Sequence, residues 1–169
     1  MDEQAIYEYA FRSTYRYLGY RPRAEAEVRT YLARRNQLFT PEIIDRVVAK
    51  LHEYNYLNDA QFVQWYLYSR VLSRKKSLRL LARELAHIGV DRDVIEQQLE
   101  LPQSPKGTAV ADETIDDDQR AHQAGQHVWK RTEGQGEMER SKKVYAYLAR
   151  RGYSSETIKN TIAKYRLNE

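Results

Sequence analysis

Residues 81–99, LARELAHIGVDRDVIEQQL, decide the fold because the pattern of this stretch occurs three times in the chain. An offset of 63 residues aligns it without a gap to residues 144–162, VYAYLARRGYSSETIKNTI. A third copy covers residues 28–48 and contains two additional loop residues. Apolar residues keep helical spacing in all three copies. Such internal repetition indicates a chain built from similar supersecondary units.

The residues that end and start helices also recur at matching positions in the three copies. The first helix of each pair is followed by Asn36, Gly89 and Gly152, respectively. Glycine and asparagine are the residues that most often end a helix in a left-handed conformation. The second helix is preceded by Thr40, Asp91 and Ser154, respectively. These side chains are good N-caps, and Pro41 fits the first helical turn.

A further helix is predicted upstream of each copy. The first carries a stripe of Tyr7, Phe11, Thr14, Tyr15 and Leu18. Asn58 or Asp59 caps the second, which carries Phe62, Trp65 and Tyr66. Asp117 or Asp118 precedes the third, with a weaker stripe of Ala121, Ala124 and Val128. The sequence therefore predicts an all-α fold: nine helices in three tandem three-helix, helix-turn-helix-like repeats, forming an elongated, curved molecule.

The predicted boundaries follow from this repeat and from a change in composition. Repeat 1 is expected at residues 1–58, repeat 2 at 59–100 and repeat 3 at 117–169. Residues 101–116 contain prolines early and acidic residues late, which is typical of a linker. A second irregular stretch, residues 133–137, lengthens the first loop of repeat 3.

The net charge of +4 is small, but the basic residues are clustered. Each cluster lies near the loop between the first and second helices of its repeat, so we expect basic patches at equivalent points of the molecule. A solvated face is the alternative for any single cluster. The functional interpretation is contact with phosphates or with an acidic protein surface. The clustered residues are Arg12, Arg16, Arg21 and Arg23; Arg70, Arg74, Lys75, Lys76, Arg79 and Arg83; and Arg140, Lys142, Lys143, Arg150 and Arg151.

Residue patterns that would indicate catalysis or a cofactor are absent from the sequence. There is no cysteine, no Gly-rich phosphate loop and no nucleophile elbow. No two of His52, His87, His122 and His127 are four residues apart, as a helical metal site would need. A metal site at residues 116–118 is less favoured than a solvated linker. We therefore expect neither an enzyme nor a cofactor nor a metal.

Fourteen tyrosines against three phenylalanines are the unusual feature of the composition. Helical spacing places five of them on apolar helix faces, where we expect them to form core: Tyr7, Tyr15, Tyr31, Tyr66 and Tyr165. Trp65 with Tyr66 could stack on nucleic-acid bases, but their spacing with Phe62 favours the core. No apolar run has the length of a membrane helix, and the first ten residues do not resemble a secretory signal.

Three elements of the sequence resemble the RecX family of bacterial recombination regulators. Residues 20–28 with Leu32 resemble its R-x-R-S-x-x-E-L element, and residues 57–63 its L-x-D-x-x-F-A element. Arg70 and residues 84–90 resemble its middle R…E-L-x-x-K-G-I. Three positions depart from these patterns: Ala24 replaces the usual Ser, Ser77-Leu78 the usual Gly-Pro, and Ile88 the usual Lys. These affect local loop geometry and one charge, and leave the repeat register unchanged.

The resemblance implies a cytoplasmic protein that binds the RecA recombinase filament on DNA. It implies modulation, mainly inhibition, of ATP hydrolysis and strand exchange in recombination and DNA repair. DNA, single- or double-stranded, would be contacted directly or through the filament, and we expect a monomer with no membrane contact. Two alternatives stay open: a direct DNA-binding array of helix-turn-helix units, and a structural adaptor for another protein.

Overall fold

A computed structural model describes residues 2–71, 76–100 and 117–167. Within these ranges the chain forms nine α-helices and no strand, as predicted. None of the described helices is long and apolar enough to cross a membrane. The predicted linker 101–116, with Arg74 and Lys75, lies outside the described residues. The helices are α1 (Glu3–Leu18), α2 (Glu25–Arg35), α3 (Pro41–Glu53), α4 (Asp59–Val71), α5 (Leu78–Ile88), α6 (Arg92–Leu99), α7 (Asp117–Arg131), α8 (Glu137–Ala149) and α9 (Ser155–Leu167).

The predicted helix starts are confirmed by their hydrogen bonds. A side-chain oxygen accepts a backbone N–H two or three residues ahead, at 3.5 Å for Thr40, 2.8 Å for Asp91 and 3.0 Å for Ser154. Each such bond satisfies an N–H group that has no partner within the helix. Pro41 begins α3. Asn58 caps α4, because its Oδ1 accepts the Gln61 N–H at 3.0 Å.

Two of the three predicted helix stops are left-handed, and the third is not. Gly89 has φ of 103° and Gly152 has φ of 84°, as expected of helix-ending glycines. Asn36 is extended instead, with φ of −155°, so the prediction of a left-handed residue was wrong there. The physical reason is a local hydrogen bond of the Asn36 side chain: its Oδ1 accepts the Leu38 N–H at 2.9 Å and forms a turn in place of the left-handed helix end.

The chain divides into two compact units. Unit 1 comprises Met1–Trp65 and Leu85–Gln98, and unit 2 comprises Tyr66–Glu84 and Leu99–Glu169, so the division passes through α4 and α5. In unit 1, α1 and α2 pack on α3; in unit 2, α7, α8 and α9 pack together. The core of unit 1 is formed by Ala10, Val28, Leu32, Phe39, Ile43, Ile44, Val47, Val48, Leu51 and Leu57. That of unit 2 is formed by Ala121, Ala124, Val128, Trp129, Val144, Leu148, Tyr153, Ile158, Ile162 and Tyr165.

The tyrosines predicted as core differ in their burial. Tyr165 is 4% exposed, which confirms its assignment. Tyr7, Tyr31 and Tyr66 are half-buried. Tyr15 is 59% exposed, so the prediction that it belongs to the core was wrong. Helical spacing places Tyr15 near the apolar stripe of α1, but the ring that it contacts there is that of Tyr56, which is itself 50% exposed.

The N-terminus of α2 is capped from a distant part of the chain. Ala24 has no side-chain oxygen, so only half of a capping box forms: Glu27 Oε2 accepts the Ala24 N–H at 3.2 Å. Asp59 supplies a side-chain acceptor for another free N–H of this helix end, since its Oδ1 accepts the Glu25 N–H at 2.8 Å across 34 residues of sequence. The first residue of α4 therefore caps the second helix of the preceding repeat.

The N-terminus of α5 has the same arrangement within unit 2. Asp117, the first residue of α7, accepts the Leu78 N–H on Oδ1 at 2.9 Å. Ser77 caps α5 locally, with Oγ accepting the Leu80 N–H at 3.1 Å, and its own N–H donates to Arg151 O at 3.0 Å. We call this contact, in which an aspartate that starts one repeat caps α2 or α5 of the repeat before it, the repeat joint.

The left-handed glycines complete both repeat joints. A Cβ on Gly89 would lie 2.7 Å from Ala26 Cβ, at the first turn of α2. A Cβ on Gly152 would lie 2.8 Å from Ser77 Oγ and from Leu80 Cβ, at the first turn of α5. The end of α5 therefore packs against the start of α2, and the end of α8 against the start of α5. Glycine permits this close approach because it has no Cβ.

Candidate partner-binding surfaces

The first basic cluster separates into paired and unpaired arginines. Arg21 Nη2 lies 2.6 Å from Glu27 Oε1, and Arg23 Nη1 lies 3.4 Å from the same oxygen. Both guanidinium groups also lie over aromatic rings, Arg21 at 5.7 Å from Trp65 and Arg23 at 4.0 Å from Tyr17. These contacts hold the two arginines in place, and Glu27 offsets part of their charge.

Arg12 and Arg16 lie one turn apart on α1, and both are exposed. Neither forms an ion pair with any carboxylate in the described parts of the chain. Their charge is therefore available to a partner, in contrast to that of Arg21 and Arg23.

The second cluster is exposed on α4 and α5. Arg70, Arg79 and Arg83 are exposed, and the Arg70 guanidinium lies 5.2 Å from the centre of the Tyr66 ring. Arg79 and Arg83 are one helical turn apart on α5 and so face the same side. Lys76 forms an ion pair with Glu84 and is only partly exposed.

Glu84 links α4 to α5 within unit 2. Its carboxylate accepts hydrogen bonds from the Tyr66 hydroxyl at 2.8 Å and from Lys76 Nζ. Burial alone would raise the pKa of Glu84, but the hydrogen bonds from Lys76 and Tyr66 outweigh it and lower that pKa below its ordinary value. Burial and the neighbouring carboxylate raise the pKa of the Tyr66 hydroxyl.

The third cluster contains exposed cations on α8 and at its end. Lys142, Lys143 and Arg150 are exposed. Lys143 Nζ donates to Gln135 Oε1 at 2.8 Å, and the Arg151 guanidinium stacks on Tyr147 at 3.6 Å from the ring centre. Lys143 Nζ also lies 3.8 Å from Glu139 Oε1, so Lys142 presents its charge near the N-terminal half of α8 more fully than Lys143 does.

Arg140 is not exposed and differs in this from most of the predicted set. It is 7% exposed, its guanidinium lies 3.9 Å from the centre of the Trp129 ring, and Nη2 donates to Trp129 O at 3.2 Å. Its place in the sequence, beside exposed lysines, gave no sign of this burial. The structure thus places Arg140 in the core of unit 2, where its charge is not presented to a partner.

Histidine and carboxylate clusters suitable for a metal ion do not occur among the described residues. His52 Nε2 lies 2.7 Å from Glu25 Oε2, where it joins the repeat joint of unit 1. His122 packs against the ring of Tyr165, whose hydroxyl donates to His122 O. Both histidines thus have structural partners.

One exposed feature was not predicted from the sequence. Tyr15, Tyr20, Tyr54 and Tyr56 are 59%, 85%, 49% and 50% exposed, and we call them the tyrosine surface. All four belong to unit 1. The signal in the sequence is the Tyr54-Asn55-Tyr56 triplet at the end of α3, where aromatic residues flank a residue that tolerates a left-handed conformation.

Sequence profiles of the RecX family match three segments of the chain. Residues 10–51 match the first three-helix domain of RecX, residues 58–99 the second and residues 116–162 the third. The matches follow the order of the three repeats seen in the sequence.

Curated relatives carry the name regulatory protein RecX. That of Listeria welshimeri is 30% identical over 85% of this chain and 49% of its own length. That of Bacillus velezensis is 37% identical over 53% of this chain and 34% of its own length. The chain spans about half the length, or less, of these curated relatives.

Solved structures show the same fold. The crystal structure of RecX from Lactobacillus salivarius matches with a TM-score of 0.78 at 18% identity, over 95% of this chain and 97% of that chain. A second crystal structure, of a regulatory protein RecX, matches with a TM-score of 0.73 at 19% identity, over 95% of this chain and 79% of that chain. Matches to all three domains, in order and in one fold, establish that this chain belongs to the RecX family of regulatory proteins.

Proposed function

We propose that this chain binds the RecA filament on DNA and modulates it, mainly by inhibiting RecA ATPase and recombinase activity. The observation that carries the proposal is the match of three successive RecX domains to the chain. The relatives' name, regulatory protein RecX, supports a regulatory role. Its cytoplasmic location and monomeric state stay predictions.

The described cations suit a regulator that acts by binding. Arg79 and Arg83 on α5, and Lys142 and Lys143 on α8, are exposed at similar places in successive repeats. A helical nucleoprotein filament also presents its sites periodically. Several weak contacts to such a filament would add through effective concentration. Regulation of this kind needs no catalytic residue, only occupancy of a surface that RecA uses.

The test is RecA ATPase activity on single-stranded DNA at increasing concentrations of this protein. We expect inhibition by the wild type and a loss of about tenfold or more in inhibitory potency for Arg79→Glu with Arg83→Glu, because two attractive charges become repulsive. Arg92→Glu, an exposed arginine on α6 outside the predicted set, is the matched control and should keep wild-type potency.

Two results would contradict this proposal. Unchanged ATPase activity at saturating wild-type protein would reject modulation of RecA. Equal potency of the α5 variant and the Arg92→Glu control would remove the α5 cations from the interface.

Direct binding of duplex DNA is the second candidate. The observation that favours it is the capped turn before α6 and before α9, made by Asp91 and Ser154, which joins two helices as in helix-turn-helix proteins. It predicts binding to naked duplex DNA that weakens steeply with salt. Binding that is absent or insensitive to salt would reject it.

A further inference from the structure

The tyrosine surface of unit 1 leaves four aromatic side chains accessible to solvent. Four side chains are between 49% and 85% exposed, and they come from α1, from the loop after it and from the turn that ends α3. Single exposed apolar residues are ordinary, whereas a contiguous group often marks a binding site. Three of the four rings are contiguous, since Tyr56 lies 5.9 Å from both Tyr15 and Tyr54, centre to centre, and Tyr20 lines a groove together with Tyr56.

The backbone holds these rings in a defined arrangement. Asn55 is left-handed, with φ of 55°, and ends α3: its N–H donates to His52 O at 2.9 Å, and the Tyr56 N–H donates to Leu51 O at 2.8 Å. This pair of bonds is the Schellman motif. It orders the backbone from which Tyr54 and Tyr56 project, so no backbone ordering is needed there when a ligand binds.

The rings meet edge to face, so they are not stacked on one another. The interplanar angles are 69° between Tyr15 and Tyr56 and 65° between Tyr54 and Tyr56. Phe11 meets Tyr54 at 76°. Stacked rings would bury each other's faces, whereas this arrangement leaves about half of each tyrosine accessible to flat ligands.

A groove beside Tyr56 and Tyr20 continues the aromatic surface at the C-terminal end of α1. Its volume is about 500 Å³, and its lining includes Tyr20, Tyr56 and Trp65 with Arg21 and Asn55. The Arg21 guanidinium lies 5.7 Å from the centre of the Trp65 ring. The groove therefore combines aromatic faces with the Asn55 amide, while the Arg21 guanidinium is held by Glu27, and its size suits a flat polar ring system.

The charge beside the tyrosine surface is positive. Arg12 and Arg16 are exposed on α1 on either side of Tyr15 in sequence, and they have no ion-pair partner among the described residues. The acidic residue nearest to Tyr54 in sequence is Glu53, which is neutralised by Lys50 at 2.9 Å. An acidic ligand is therefore favoured over a basic one.

We propose that the tyrosine surface binds single-stranded nucleic acid, with unpaired bases stacking on the tyrosines and phosphates contacting Arg12 and Arg16. Aromatic rings interleaved with cations are the arrangement by which proteins hold single strands without reading their sequence. Duplex DNA offers no free base faces, so this site differs from a helix-turn-helix contact in a major groove. The proposal goes beyond regulation of RecA, because it assigns single-strand binding to a particular surface and to base stacking, and its test with oligonucleotides alone does not depend on RecA.

The first experiment separates stacking from charge. Fluorescence anisotropy is measured for the full chain with a 5′-labelled 15-nucleotide oligothymidylate and with an abasic oligonucleotide of equal length and charge. We expect the abasic probe to bind at least about tenfold more weakly, because it keeps the phosphates and lacks the rings. Equal affinity for the two probes would overturn the proposal.

The second experiment uses variants of the surface. Tyr54→Ala with Tyr56→Ala should weaken oligothymidylate binding about 5- to 100-fold, the range that one stacked base supplies. Tyr54→Phe with Tyr56→Phe should stay within about twofold, because the rings remain. Tyr145→Ala, at an exposed tyrosine of unit 2, is the matched control, and thermal unfolding checks that every variant is folded.

The arginines are tested through salt dependence. Arg12→Ser with Arg16→Ser should reduce the slope of log K against log salt concentration by about 1.4, or about 0.7 for each phosphate that the variant no longer neutralises. An unchanged slope would remove the arginines from the site. If the alanine variants keep their affinity for oligothymidylate but fail to modulate RecA ATPase, the surface binds protein and the nucleic-acid proposal is wrong.

Discussion

Glu84 shows how one carboxylate couples stability to pH. Its folded-state pKa is lowered, so the ionised carboxylate is favoured by folding. That stabilisation is present above the ordinary carboxyl pKa and is lost as pH falls through the lowered folded value. Glu84→Gln should therefore lower the free energy of unfolding by about 1 kcal/mol at pH 7 and by less at pH 3, because pH 3 lies below the ordinary carboxyl pKa, where that stabilisation is already partly lost.

Urea denaturation of wild type and Glu84→Gln at the two pH values measures this difference. Glu156→Gln is the matched control, since Glu156 is exposed on α9. We expect no pH-dependent loss in the control. An equal loss for Glu84→Gln at pH 7 and pH 3 would mean that the shape of the Glu84 side chain, and not its charge, contributes to the free energy of unfolding.

Single side chains were predicted less well than the helices that carry them. Helical spacing correctly assigned Tyr165 to the core and wrongly assigned Tyr15, because the spacing gives the face of a helix and not what covers that face. Arg140 shows the converse, since its charge suggests a surface position while Trp129 covers it. Burial depends on partners that are distant in sequence, which periodicity does not reveal.

At the scale of the helices, Gly152 tests the repeat joint. It has φ of 84°, and a Cβ there would lie 2.8 Å from Ser77 Oγ and Leu80 Cβ. Gly134 offers a matched control, because its φ is 87° and nothing lies within 4 Å of its Cβ position. Both substitutions to alanine incur the left-handed penalty of about 1–2 kcal/mol. Gly152→Ala should lose about 1–3 kcal/mol more from crowding.

The free energy of unfolding of both variants, from urea titrations, decides this. Similar losses for Gly152→Ala and Gly134→Ala would show that α8 can move away from α5 at little cost, and the joint would then not be a tight contact. A loss in both variants that is larger for Gly152→Ala would show that glycine is required there for close approach as well as for backbone conformation.

Helix starts were predictable because their hydrogen bonds are local. Thr40, Asp91 and Ser154 each bond within their own first turn, and the sequence displays that spacing directly. Asp59 and Asp117 looked like caps for their own helices, yet their oxygens accept N–H groups 34 and 39 residues earlier in the chain. Such distant pairing leaves no periodic signal in the sequence, so the repeat joint could be identified only from the structure.

At the scale of the whole chain, the three copies predicted the repeat fold, and three short sequence elements predicted the family. The sequence contains three similar repeats, and the three RecX domains match them in order. Among the clustered basic residues, Arg79 on α5 and Lys142 on α8 are exposed. Clustering in the sequence did not distinguish them from Arg21 and Arg23, which form ion pairs with Glu27. The tyrosine surface was missed because exposed aromatics share their spacing with buried ones.

If two repeats contact the same RecA filament, variants of each repeat should raise the inhibitory concentration for RecA ATPase by factors that multiply. This prediction rests on the proposed function. Arg79→Glu with Arg83→Glu, and Lys142→Glu with Lys143→Glu, alter successive repeats. If both repeats contact one filament, the free-energy losses add, so the inhibitory concentration for RecA ATPase in the combined variant should rise by about the product of the separate increases. A combined variant no weaker than the weaker parent would show that only one repeat engages the filament, because a second contact would then contribute nothing to binding.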